Sequence, residues 1–436
     1  MPDGQREAAR TTACTPGDAS EPATLAALLR DARVDWDVLH ERHHSLLQLV
    51  DTLLGVVPNC DRYLEIWPAA FRTYNIMVPN LLNLPVPILG VGGPSPAAVG
   101  LAMYVASRTA DCPYCSAHSC SFAIRRGAEP AQVAAALLPE RGSFSRGELA
   151  AIAIARSLAR VPCELTAAEK VELVSAHGEA HAEWIVLAVA MMGFLNKFMD
   201  AIGVELEQSV ADEVAPVIGS DWRPGKAGAE LDPHATPRPV PPMDGWAVRL
   251  RLLPLLPAAI RYDRRVQQGV PGTSLAVAAF LTQSIGHDFP VLAGLRSKRA
   301  RRSIASMLRE NLDPSTSVVG LDVKVLAGTI FAAVVGNESL ANDMDALARH
   351  LDLDRDRVDA AIDAARGGLS FDSSAPGSAV LALARAASSS PARIDAATVA
   401  ACERGGLTPA ATVEIITWLA VLQLMHRLTC YLSQPA

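Results

Sequence analysis

Apolar residues recur along this chain at helical spacing, and the signals that begin helices fall where the spacing requires them. The run WIVLAVAMMGFL (184–195) sits inside a longer apolar stripe, AEWIVLAVAMMGFLNKFMD (182–200). A second stripe, VEIITWLAVLQLMHRLTCY (413–431), lies near the end of the chain. SRGE (145–148) and TAAE (166–169) are capping boxes, in which a hydroxyl accepts a backbone N–H one turn on and the glutamate reaches back. LTPAATVEII opens the last helix, with Thr408 as N-cap and Pro409 at the first helical position, where a missing N–H costs nothing. No alternating strand bounded by hairpin turns is visible. The pattern predicts an all-α protein.

Breaks in the pattern divide the chain. Residues 1–22 are polar, with no apolar run, and read as a disordered tail. Residues 221–245, DWRPGKAGAELDPHATPRPVPPMDG, are rich in Pro, Gly and charge and read as a linker. A helical domain at 23–220 and a second at 246–433 remain. The two resemble copies. The stripes at 182–200 and 413–431 each have Glu second and Ile fourth. RRGAEPAQVAAALL (125–138) pairs with RHLDLDRDRVDAAI (349–362), and LAAIAIARSLAR (149–160) with SAVLALARAASS (378–389). Three matches in one order, at offsets of about 224 to 231 positions, predict an internal duplication and two tandem bundles.

Composition agrees and excludes some functions. Half of the 436 residues are hydrophobic but only 5% are aromatic, so the core is expected to consist of Ala, Leu, Val and Ile packed between helices. A net charge of −7 argues against nucleic-acid binding. The cluster RSKRARR (296–302) reads as a solvated helix face. No secretory signal is apparent, and the apolar runs read as too short to cross a bilayer. A cytoplasmic, reducing location follows, with no membrane partner. In that setting eight cysteines are no disulfide framework, and a CxxC points to catalysis or metal binding.

The chemistry concentrates in DCPYCSAHSC (111–120). An apolar helix precedes it (97–109), and the helix it opens ends at Gly127 in the C′ position. Asp111 suits the N-cap and Pro113 the first turn. Cys112 and Cys115 therefore fall in the first turns, where the helix dipole favours thiolates. Cys112, Cys115 and His118 follow one another at intervals of three, so consecutive members are neighbours on the helix surface. An imidazole one turn from a thiol can take its proton. Cys120, about 140° around the helix from Cys115, reads as a core residue.

SRTADCPYCSAHSCSFAIRRGA resembles the alkylhydroperoxidase D and carboxymuconolactone decarboxylase superfamily, helical proteins with a CxxC at a helix start and a histidine soon after. VLAVAMMGFLNKFMDAIGVELE (186–207) resembles it again. The resemblance implies a hydroperoxide reductase in which Cys115 attacks the peroxide oxygen and Cys112 resolves the sulfenic acid into a disulfide. An external dithiol, lipoyl or thioredoxin-like, re-reduces it. It implies no organic or metal cofactor, and further association into homo-oligomers. His118 is the candidate base. Two positions depart from the family pattern. Its histidine falls one residue later, at Ser119, and its glutamate, about twelve residues before the first cysteine, falls at Gly100. In the second copy the motif's place, GNESLAND (336–343), holds neither Cys nor His, so that copy is expected to be degenerate.

Other readings were weighed. Zinc could use Cys112, Cys115 and His118 with Cys120 or a distant ligand, although no second ligand pair is apparent. A decarboxylase-like enzyme and a non-catalytic or redox-sensing scaffold are the remaining alternatives. HGEAH (177–181) and HERHH (40–44) read as capping or solvated histidines. His287 beside Asp288 reads as a possible His–carboxylate pair. Cys14 falls in the tail, and Cys60, Cys163, Cys402 and Cys430 read as isolated packing thiols.

Overall fold

The computed structural model describes residues 24–90, 92–225, 228–230, 244–367 and 376–435. The tail with Cys14, and most of the region from 231 to the end of the linker, lie outside the described residues. The rest is all-α. In the first half the helices include α1 (Trp36–Leu54), α2 (Cys60–Leu64), α3 (Pro68–Leu81), α4 (Pro96–Thr109), α5 (Pro113–Arg125), α6 (Arg146–Ala159), α7 (Ala167–His177), α8 (Glu179–Ile202) and α9 (Gln208–Ile218). In the second they include α10 (Leu256–Val266), α11 (Ser274–Ile285), α12 (Lys298–Leu312), α13 (Leu321–Val335), α14 (Glu338–His350), α15 (Arg355–Ala365), α16 (Pro376–Ser388), α17 (Ala396–Arg404) and α18 (Pro409–Ser433). Both capping boxes form, at Ser145 and Thr166, and Thr408 caps α18.

The two long stripes become α8 and α18, which pack against each other through the centre of the molecule. At 24 and 25 residues they are long and apolar enough to cross a membrane, so the expectation that such runs are too short does not hold. Both are 89% buried in the protein over their most apolar window, which is compatible with a soluble protein. The sides of α8 divide its work. Val189, Gly193 and Lys197, at intervals of four, face the second half. A Cβ on Gly193 would lie 3.0 Å from the Gln423 carbonyl oxygen and 3.1 Å from Arg427 Cδ, so a glycine lets the helices close. Arg427 Nη1 donates to Val189 O at 2.8 Å. Lys197 Nζ donates to the carbonyls of Ala387, Ser388 and Ser389 at the end of α16. Those C-terminal carbonyls have no partner within their own helix.

A second seam joins the halves. α3 packs on α12, with Arg72 donating to Glu310 at 2.7 Å and Asn311 to Thr73 at 3.0 Å. Here the arginine cluster differs from its expected solvated face. Arg301 is buried and donates to the carbonyls of Leu292, Gly272 and Leu295. Arg299 donates to Asn80 and Asn83. These guanidiniums satisfy carbonyls and amides that helix packing has removed from water.

The described ends of the 221–245 segment are docked. Trp222 Nε1 donates to Pro113 O at 3.3 Å, and Asp244 N to Arg125 O at 2.9 Å. Ala229–Glu230 pairs in parallel with Leu206–Glu207, the two-residue strands β2 and β1. A Pro/Gly-rich composition reports a lack of helix, not a lack of contact.

Helices α4 and α5 approach each other closely at Gly100. A Cβ on Gly100 would lie 2.6 Å from Ala123 Cα and 2.9 Å from Ala123 Cβ. Alanine is the better helix former by about 1 kcal/mol, but the obstructing atom is backbone and cannot step aside. Gly100→Ala should therefore destabilise the protein, by about 1–3 kcal/mol, as overpacked cores do. A urea midpoint at or above wild type would contradict this contact.

Candidate active site

The sequence determines where α5 starts, though not by the residue expected. Asp111 adopts a left-handed conformation (φ 52°) and Cys112 is the N-cap. The Cys112 sulfur accepts the Cys115 N–H at 3.4 Å and also hydrogen-bonds the Cys115 thiol. The two sulfurs, both free, thus share the first turn. Cys120 is fully buried and its thiol is pushed up to about 12 by that burial, as befits a core residue.

The expected thiolate does not follow. Cys115 is only 3% exposed, and burial lifts its pKa well above the usual thiol range, with Cys112 adding to the shift. Desolvation outweighs the favourable helix terminus. At rest Cys115 is a thiol and needs a base to react.

The candidate base, His118, lies one turn further along α5 with a carboxylate beside it. His118 Nε2 lies 2.7 Å from Glu207 Oε2. Glu207 is 1% exposed, and its other oxygen accepts the Tyr114 hydroxyl at 3.0 Å and the Asn59 N–H. Glu207 is fixed by β1, whose Leu206 N–H reaches Gly228 O at 3.2 Å. Part of the supposed linker therefore holds the site's carboxylate. Glu205, just before β1, serves another network, accepting the Tyr63 hydroxyl at 2.6 Å.

The departures from the family pattern acquire physical reasons here. Gly100 cannot carry a carboxylate because α5 occupies the space of its side chain. Ser119, in the usual place of the histidine, turns its hydroxyl back onto the Cys115 carbonyl at 2.5 Å. The carboxylate comes from Glu207 instead. GVELE places two glutamates two residues apart, which was the available signal, but nothing in the linear sequence shows that one of them meets His118.

Cys115 and His118 line a pocket with Cys60, Tyr74 and Tyr114. The remaining wall is apolar, including Met103, Phe122 and, from the face of α8 opposite Gly193, Met191, Met192, Leu195 and Met199. The pocket is open to solvent on one side, and the space it borders, open solvent included, is about 560 Å³. Cys60 is thus no isolated packing thiol. It hydrogen-bonds Tyr114 and Tyr74, and burial raises its pKa well above the usual thiol range. Cys112 opens instead on a separate small cleft with Pro113, Asp200, Gly203, Pro224 and Gly225. From the other half, the buried Arg427 guanidinium interacts electrostatically with both Cys112 and Cys115.

The other candidates are dispersed. His177 ends α7 and contacts Gly147 O at 2.9 Å, whereas His181 is exposed on α8 beyond the break at Gly178, so HGEAH forms no joint face. Within HERHH, His43 stacks on Phe71 and faces Glu65 at 3.2 Å. His287 does pair with a carboxylate, chiefly Asp343 at 2.8 Å, with Asp288 at 3.8 Å. Among the described residues no group of three His, Cys, Asp or Glu side chains is arranged to hold a metal ion.

The site is thus a buried dithiol backed by a His–Glu pair on an apolar pocket, in an all-α chain. No protein-family model matches the chain, and no curated protein matches it. Two solved structures are similar over 42% of this chain and 96% of theirs: the apo debrominase Bmp8, at 19% identity, and a cysteine-to-alanine variant of Bmp8 in complex with 2,3,4-tribromopyrrole, at 18%. The TM-score is 0.36 in each case.

One buried acid near the site gives a pH prediction. Asp61 is fully buried, and neither carboxyl oxygen has a hydrogen-bond partner among the described residues. Burial, with Glu207 and Glu65 nearby, raises its pKa to about 8. The folded state therefore holds a proton that the unfolded state releases near pH 4. This group's contribution is complete below that range and is lost as pH rises toward 8. Wild type should lose roughly 3 kcal/mol through this group between pH 5.5 and pH 8, and Asp61→Asn should remove that loss. Identical pH dependence of urea unfolding in both proteins would contradict the assignment.

Proposed function

We propose that the protein is a CxxC-dependent thiol oxidoreductase of the alkylhydroperoxidase D type, reducing small apolar hydroperoxides with electrons from an external dithiol. One observation carries the reading: two hydrogen-bonded thiols share a helix start, and Cys115 opens onto an apolar pocket bordered by a carboxylate-oriented histidine.

With Nε2 engaged by Glu207, His118 has Nδ1 left to accept the Cys115 proton. The resulting thiolate attacks the distal peroxide oxygen and the O–O bond breaks. The departing alkoxide takes the proton, and Cys115 becomes a sulfenic acid. Cys112 then attacks that sulfur, releasing water and forming a disulfide. Because Cys112 and Cys115 border different openings, the dithiol donor approaches Cys112 from the side of Asp200 and Gly225 while substrate occupies the pocket. A lipoyl group or a thioredoxin-like protein is the class of donor required, and a reducing cytoplasm is the setting in which this cycle turns.

The second half reads as a degenerate copy. Its α14 begins at Asn337 in the place of Cys112, with Leu340 in the place of Cys115 and Asp343 in that of His118. Asn337 keeps a capping role, accepting the Leu340 N–H at 3.0 Å. On this reading the second half has given up its own chemistry and supplies Arg427 to the first. The packing of α8 on α18 is then a subunit-like interface inside one chain, and further association into homo-oligomers would build on it.

With cumene hydroperoxide and dihydrolipoamide, Cys115→Ser should lower kcat/KM by at least about 100-fold, and Glu207→Gln by about 10- to 100-fold through misorientation of His118. A Cys115→Ser enzyme turning over at the wild-type rate would remove the mechanism.

A further inference from the structure

Two cysteines remote from the CxxC in sequence meet where the halves join. Cys163 lies in the loop after α6, and Cys430 in the final turn of α18. The sequence reads them as isolated packing thiols, yet the loop of Cys163 packs on the end of α18, where Gln434 Nε2 donates to Leu165 O at 3.0 Å, and the two thiols interact electrostatically across the halves. The Cys163 sulfur also lies 3.6 Å from Ser157 O. Both residues are half-buried, in contrast to the 1% and 3% exposure of Cys112 and Cys115, so a solute reaches them more readily.

Their surroundings are those of a reactive pair. The neighbouring Cys430 thiol draws the Cys163 pKa below the usual thiol range, against its burial and with help from the Arg427 guanidinium, while Cys430 itself is held well above that range and keeps its proton. The His426 ring nitrogens lie 3.8 and 3.9 Å from the Cys430 sulfur. Burial, with Arg427 and Lys197 nearby, brings His426 down to about 4, so its ring is neutral, and its Nδ1 lies 2.8 Å from the Asn337 side-chain amide. A nucleophile, a partner thiol and a cation thus converge, in surroundings that favour a reactive cysteine.

We propose that Cys163 and Cys430 form a second redox-active site, which hydroperoxides oxidise to a disulfide tying the first half of the chain covalently to its last helix. The Cys163 thiolate attacks the peroxide, the O–O bond breaks, and water or alcohol leaves after taking up a proton. Cys163 is thereby oxidised by two electrons to a sulfenic acid. Cys430 attacks that sulfur, and its proton passes to the departing hydroxide. The S–O bond breaks and water departs. A dithiol returns two electrons and two protons to restore both thiols.

The test uses the full chain with Cys112 and Cys115 both replaced by Ser, treated with hydrogen peroxide and mapped by non-reducing peptide mass spectrometry. The expected result is a Cys163-to-Cys430 cross-linked peptide that disappears with dithiothreitol. In a Cys430→Ser version, a dimedone-reactive Cys163 should replace the cross-link. Free, alkylatable thiols at both positions, or overoxidised Cys163 without a cross-link, would overturn the proposal. The same mapping on wild type keeps the answer accessible if the double variant folds poorly. The two possible disulfides lie in different peptides, so this site and the CxxC reading can fail independently.

Discussion

The contact between α8 and α18 is the constraint on which the rest depends. Two apolar helices of 24 and 25 residues must be removed from water, and each does so largely against the other. Gly193 permits the approach, and Lys197 and Arg427 fix it by satisfying carbonyls of the opposite half. Once α8 is held from behind, its other face presents four apolar side chains, three of them methionines, to the pocket. Methionine suits that position because its flexible, polarizable chain conforms to varied apolar shapes. The same packing delivers Arg427 toward the two sulfurs. Architecture and site are two sides of one helix.

The site opposes two effects that usually act together. A helix N-terminus favours a thiolate, while a buried, apolar surround disfavours it, and here burial prevails. On the proposed mechanism the resting thiol is protected from indiscriminate oxidation, and its reactivity depends on the His118–Glu207 pair. Cys163 is arranged the other way. It is more exposed, and the neighbouring Cys430 thiol draws its pKa below the usual thiol range. One chain thus carries a guarded pair and an accessible pair on either side of a single buried guanidinium.

Helix positions, the capping boxes and the placement of the CxxC were legible because they follow from local chemistry: periodicity of 3.6, side-chain caps and proline at N1. The glutamates shared by the two apolar stripes were visible too, and both accept backbone N–H groups of loops. Glu183 receives those of Arg296 and Ser297, and Glu414 those of Val318 and Val319. What stayed hidden depends on contacts distant in sequence. Glu207 reaches His118 only because a two-residue strand pairs with part of the Pro/Gly-rich segment. Arg301 looked solvated because its partners are carbonyls, which leave no trace in a charge pattern. Cys163 and Cys430 looked isolated because 267 positions separate them along the chain.

The central claim is that Cys112 and Cys115 exchange electrons as a pair. Wild-type protein treated with one equivalent of cumene hydroperoxide, quenched with an alkylating agent and digested, tests it most directly through the single peptide that carries both residues. The account predicts that this peptide loses two hydrogens, with Cys112 and Cys115 joined and Cys120 still alkylatable. A peptide that keeps all three thiols, or protein that arrives with stoichiometric zinc on these sulfurs, would contradict it.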